Sequence, residues 1–160
     1  MINRLQMFSL IKETLQDMGG NYYSHDAMEL IYNTGLVESK YKYLMQKGGD
    51  NIARGFYQCE PWVAVSVCEN YLQFRKPLMK KIAKLCYLDI KYFTNPKGFD
   101  WKQILTTNIT AQIIFCRLHY WRVPKPLPKT IEDQASYWKK FYNTEKGKGS
   151  INHFLEVIND

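Results

Sequence analysis

Apolar residues recur at spacings of three and four through most of the chain, the period of an α-helix with one buried face. Leu5, Phe8, Ile11, Leu15 and Met18 form the first such stripe over residues 4–17, and Gly19-Gly20 end it. Ser24 offers the side-chain oxygen of an N-cap to a second helix, whose inward face collects Ala27, Leu30, Ile31 and Thr34. Counting on by four places Glu38 on the same apolar face. An acid at that position is the first candidate for chemistry.

The pattern breaks from Tyr41 to Arg54, where Gly48-Gly49-Asp50-Asn51 reads as a turn; a loop or a short β-hairpin is expected within 41–57. Pro61 suits the first turn of a third helix carrying Trp62, Val65, Cys68, Glu69 and Leu72. Pro77 is read as an interruption before a further helix over 78–87. After the turn Asn95-Pro96-Lys97-Gly98, Asp100 is expected to cap one long helix. Its buried face runs Trp101, Ile104, Leu105, Asn108, Ala111, Gln112 and Phe115, so two polar residues interrupt an apolar stripe. A polyproline-like connector, Val123 to Pro128, then re-aims the chain. A helix over 131–141, a loop over 142–149 and a last helix from Ser150 complete it. With 160 residues, 46% of them hydrophobic, the expectation is a single, mainly α domain with one core.

Aromatic residues make up 15% of the chain, more than a small core requires, and such rings also line sites that stack on sugars or bases. The formal net charge of +7 favours polyanionic partners, which include nucleic acid and the anionic polymers of a bacterial wall. The basic residues are scattered, with short clusters at Lys80-Lys81 and Lys139-Lys140 and no basic arm, so nucleic acid is the weaker reading. Cys59, Cys68, Cys86 and Cys116 form no CxxC pair and lie far in sequence from His25, His119 and His153; no metal site and no cofactor is expected. The cysteines read as small, reduced core residues. Arg4, Lys12, Glu13 and Asp17 interrupt the first stripe, so neither a signal-peptide core nor a membrane span is expected. If such a wall is the target, a chain made in the cytoplasm needs another route of delivery to it.

Cleaving a glycosidic bond needs an acid that stays protonated near neutral pH, and a carboxyl on an apolar helix face acquires this by desolvation. Near a helix C-terminus the helix dipole acts in the same direction.

Glu38-Ser39, followed by Gly55-Phe56-Tyr57-Gln58-Cys59-Glu60-Pro61, resembles the Glu-Ser and Gly-Leu-Met-Gln-x-x-Pro elements of soluble lytic transglycosylases, in order and in separation. Asn108-Ile109 resembles the Asn-Ile element of that family, and Tyr142-Asn143, ahead of Gly147 and Gly149, resembles its Tyr-Asn-Ala-Gly element. Phe56 and Tyr57 replace Leu and Met of the pattern, and Thr144-Glu145 replaces Ala-Gly. Three segments, Gly35 to Ser39, Tyr120 to Pro124 and Tyr137 to Gly149, are similar to segments of phage-encoded lysozyme-like proteins.

The resemblance implies a single-domain lysozyme-like fold of the goose-type lysozyme and lytic transglycosylase kind. It implies cleavage of the MurNAc-GlcNAc β-1,4 bond of peptidoglycan by Glu38 as the single general acid and base, with assistance from the substrate's N-acetyl group. By the same likeness Ser39, Gly55, Tyr57, Gln58, Asn108, Tyr142 and Asn143 are expected to contact substrate. Asp50 is the residue that would hold a water if the reaction were hydrolysis. The implied partners are glycan strands and, for a phage protein, other virion or tail proteins. The competing expectation is a virion structural or interaction protein that keeps the fold without turnover.

Overall fold

Six helices begin with the same local device. Asn3, Ser24, Asp100, Asn108, Thr130 and Ser150 each turn a side-chain oxygen onto the backbone N–H three residues on, satisfying a donor that the first turn leaves unpaired. In the computed structural model, which describes residues 2–160, nine α-helices follow from such signals. They are α1 (Arg4–Met18), α2 (His25–Ser39), α3 (Pro61–Asn70), α4 (Lys76–Leu85), α5 (Lys91–Thr94), α6 (Trp101–Thr107), α7 (Ile109–Trp121), α8 (Ile131–Trp138) and α9 (Ile151–Asn159). They fold as one compact, mainly helical domain.

Three expectations are corrected. Pro77 does not hold a helix back: it sits in the first turn of α4, where its missing N–H costs no hydrogen bond, and α4 starts at Lys76. The single long helix after Asp100 is two helices. Asn108 leaves the helical region at φ −110° and ψ 97°, caps α7 by accepting from the Ala111 N–H, and donates from Nδ2 to the Cys86 carbonyl at 2.8 Å. A short polar side chain that can bond the backbone competes with helix continuation, so the polar interruption of the stripe marks a break. The helix begun at Ile131 runs past 141, because a π-helical turn extends α8 over Lys139–Asn143. Between 41 and 59 only isolated antiparallel bridges form, Met45 with Arg54 and Arg54 with Cys59, so the 41–57 stretch is a loop rather than a paired hairpin.

The core is built around α7. Nine of its residues are buried, including both polar Gln112 and Arg117, so this helix is surrounded rather than laid on a surface. α1, α2, α3 and α6 pack against it. A second, smaller cluster of Val37, Ala135, Trp138, Phe154 and Val157 joins α2, α8 and α9. Buried polar bonds fix the seam between the two: Asn33 Nδ2 donates to Gln134 Oε1 at 2.7 Å, and the Thr34 and Tyr120 hydroxyls meet at 2.8 Å. All four cysteines are buried and unpaired, and burial pushes the thiols of Cys59, Cys68 and Cys86 up to about 12. Among the described residues no helix is long and apolar enough to cross a membrane.

Candidate active site

Glu38 is the penultimate residue of α2, and the turn that follows is held from several sides. Lys40 and Tyr41 both adopt left-handed backbone, at φ 53° and 51°, a conformation that disfavours residues with a Cβ. Ser39 ties the turn down: its hydroxyl donates to the Gly35 carbonyl and accepts from the Tyr41 N–H, each at 3.1 Å. Tyr41 is buried, and its hydroxyl donates to the Tyr32 carbonyl at 2.9 Å. The helix therefore ends at a fixed point, and Glu38 is delivered to the floor of a cleft of about 860 Å³.

That cleft lies between α2, the 43–53 loop, the start of α3 and the 138–149 segment. The indole N–H of Trp138 donates to Glu38 Oε1 at 2.8 Å. Phe154 packs on the Trp138 ring at 5.5 Å between centroids, so the small α2–α8–α9 cluster aims the indole at the acid. Glu38 is partly accessible from the cleft but surrounded by protein on its other sides, and burial raises its carboxyl to about 7; the Trp138 bond pulls the other way and is outweighed. Among the described residues no cation pairs with it. The causes are thus burial first and a single neutral donor second.

Gln58, Tyr142 and Asn143 line the same cleft as Glu38. Gln58 stands at φ 47° and donates from Nε2 to the Gly55 carbonyl at 2.8 Å. Tyr142 does not bond to Glu38: its hydroxyl donates to the Tyr57 carbonyl at 2.7 Å, and its ring stacks on Tyr120 at 5.1 Å. Asn143 Oδ1 accepts from Lys139 Nζ at 2.9 Å, and the same ammonium reaches the carbonyls of Thr144 at 2.8 Å and Gly147 at 3.0 Å. One lysine therefore gathers the loop that follows the π-turn. A side chain at Gly149 would collide with the Trp138 ring, so that glycine lets the loop lie against the residue that holds Glu38.

The other four expected residues do not line the cleft. Ser39 seals the end of α2, and Asn108 caps α7. Tyr57 is fully buried, and it meets the site only through its carbonyl, which holds Tyr142. Gly55, at φ 76°, has the Leu105 carbonyl and the Gln112 side chain 2.6 Å from where a Cβ would sit, so its role is close approach of the loop to α6 and α7. Gln112 completes that junction by accepting from the Phe56 N–H at 3.0 Å.

Residues that the sequence did not single out complete the site. Trp138 belongs to the Tyr-Trp-Lys-Lys segment, but nothing in linear order pairs it with an acid 100 residues earlier. His119, from α7, lies under Tyr142 with ring centroids 4.8 Å apart, and its Nε2 is 3.1 Å from the Phe141 carbonyl. A carbonyl only accepts, so the proton is assigned to Nε2 and Nδ1 is bare. Burial lowers this imidazole to about 4, leaving it neutral at physiological pH. Asp50, the carboxylate expected from sequence to hold a water, lines the cleft from an exposed position, as do the further residues Glu60, Lys47, Lys146 and Lys148. Among the described residues no three His, Cys, Asp or Glu side chains gather as a metal site. The arrangement is one desolvated acid, one indole donor and a polar, partly cationic rim. No family model, curated protein or solved structure matches the chain.

Proposed function

We propose that the cleft binds a peptidoglycan glycan strand and cleaves its MurNAc-GlcNAc β-1,4 bond, with Glu38 as general acid and then general base, on a lysozyme-like fold. The observation that carries this reading is a carboxyl raised to about 7 in the lining of a cleft of about 860 Å³, where a proton donor to a glycosidic oxygen is needed. The motif likeness supplies the substrate class, and the cationic rim suits the carboxylates of the wall.

In this scheme Trp138 occupies Oε1, so the proton resides on Oε2 and is given to the glycosidic oxygen as the C1–O bond breaks. The N-acetyl carbonyl oxygen of the same sugar closes onto C1, replacing a second carboxylate as nucleophile. Glu38, now ionised, takes the proton of the C6 hydroxyl, whose oxygen displaces the acetamido oxygen to give a 1,6-anhydro end. Hydrolysis instead places a water at C1, and Asp50 is the cleft carboxylate available to hold it. Digesting purified sacculi and weighing the soluble fragments separates the two: anhydro ends support the first route, and reducing ends the second. Absence of both rejects cleavage.

One observation favours a second reading, a virion structural or interaction protein without turnover. The Tyr142 hydroxyl and Asn143 Oδ1 are engaged by the Tyr57 carbonyl and Lys139 rather than left for a ligand. Presence of the chain in purified virions together with intact sacculi after incubation would support it.

A further inference from the structure

Arg117 is a buried cation without an anion. It is 3% exposed, its Nε donates to the Tyr22 carbonyl at 2.7 Å, and its guanidinium carbon lies 4.9 Å from the centre of the Trp121 ring. Among the described residues no carboxylate lies within ion-pair distance of it, and no hydrogen bond engages Nη1 or Nη2. Desolvation lowers its affinity for the proton, and the groups that act on it are Cys116 and the tyrosines 22, 71 and 137 rather than a carboxylate. Neither Nη is fully enclosed, so both stay open to a partner, and a largely desolvated guanidinium gains by pairing with one.

A second cavity of about 270 Å³ opens beside this group, apart from the Glu38 cleft and sharing no lining residue with it. Trp121, Val123 and Leu127 give it an apolar wall; Asn21, Ser24 and Lys125 give it polar groups. The N-terminal end of α2 faces it through Ser24, and the one acid in that first turn, Asp26, does not line it. We propose that this pocket binds the carboxylate of a peptide or small acid, with an apolar group of the ligand laid on Trp121.

The two parallel N–H vectors left on a guanidinium whose Nε is engaged match the two oxygens of a carboxylate. Lys125 adds a second positive charge at the rim, and the volume admits one amino-acid side chain with its carboxylate rather than an extended glycan. The pocket stands independently of the reaction proposed for Glu38, because neither geometry nor charge is shared between them.

The test is an NMR titration of the whole protein, following the Trp121 indole and Arg117 Nε–H signals. The probes are N-acetyl-leucine, its amide, N-acetyl-Ala-Ala-Leu with a free C-terminus, and inorganic phosphate. The acids are expected to shift both signals saturably, with the amide at least about tenfold weaker. Arg117→Met is expected to abolish the response, and Lys125→Met to weaken it severalfold. A tripeptide tighter than the single residue assigns the site to a chain terminus, and equal affinities assign it to a free acid; both uphold the site. Equal binding of acid and amide, a response to phosphate alone, or no saturable shift overturns it. The comparison of acid with amide uses the unaltered protein, so it decides the matter even where Arg117→Met fails to fold.

Discussion

The Trp138 indole N–H lies 2.8 Å from Glu38 Oε1, a hydrogen bond that joins the end of α2 to the end of α8 across 100 residues of sequence. Among the described residues it is the only side-chain hydrogen bond to the raised carboxyl, and it favours the ionised form. The pair sets how much of the acid form is present at neutral pH.

Removing the donor should therefore raise the carboxyl further. Trp138→Phe keeps most of the ring packing on Phe154 but loses the N–H, and a hydrogen bond to a charged group is worth enough to shift the group by about one unit. The alkaline limb of the rate profile, expected near 7 in the wild type, should move up by about that amount in sacculus digestion. A limb that stays in place or moves down would separate Trp138 from control of the acid.

Stability should carry the same signature with a defined sign. An ordinary Glu carboxyl titrates near 4.5 and this one near 7, so between those values the folded chain holds a proton that the unfolded chain has released. Folding is then penalised as pH rises through that window, by up to about 3 kcal/mol above it. Glu38→Gln lacks this penalty: urea unfolding should show the variant gaining on the wild type from pH 4 to pH 8, with the gain levelling off above 7. A difference independent of pH would contradict the raised carboxyl.

Asn108 tests the division between the cleft and its supports. Asn108→Ala removes a helix cap and the bond to the Cys86 carbonyl, which together should cost about 1–3 kcal/mol. Fragment release per folded molecule, and its dependence on substrate concentration, should be unchanged. A raised KM with unaltered stability would instead put Asn108 in contact with substrate.

The Tyr57 hydroxyl is the one buried side-chain polar atom among the described residues without a hydrogen bond of normal geometry, and the Tyr41 hydroxyl is the polar group that acts on it. Tyr57→Phe should be neutral or stabilising by about 1 kcal/mol, since it deletes a desolvated hydroxyl and leaves the carbonyl that holds Tyr142. Thermal unfolding is the check, and a loss of more than about 1 kcal/mol would mean that the hydroxyl is bonded after all.

The helices were legible where periodicity and caps agree. Ser24, Asp100 and Ser150 start helices as read from sequence, and helix phase alone put Glu38 on an inward face. The break at Asn108 was present as a polar interruption, but its meaning depends on the distant Cys86 carbonyl, which no local pattern reveals. Of the residues named from the motifs, Glu38, Gln58, Tyr142 and Asn143 share one cleft, whereas Ser39, Gly55, Tyr57 and Asn108 hold the backbone elsewhere. Short motifs do not separate these two roles, because a residue that holds a loop and one that faces a ligand lie within a few positions of each other. Trp138 and His119 were missed for a related reason: an indole and an imidazole read as core until tertiary packing shows what each touches.

The most direct measurement is release of soluble muropeptides from purified sacculi by the wild type and by Glu38→Gln at pH 6, with circular dichroism confirming equal folding. The expected result is fragments with 1,6-anhydro ends from the wild type and none from the variant. Equal release by both proteins, or no release by the folded wild type, would contradict it.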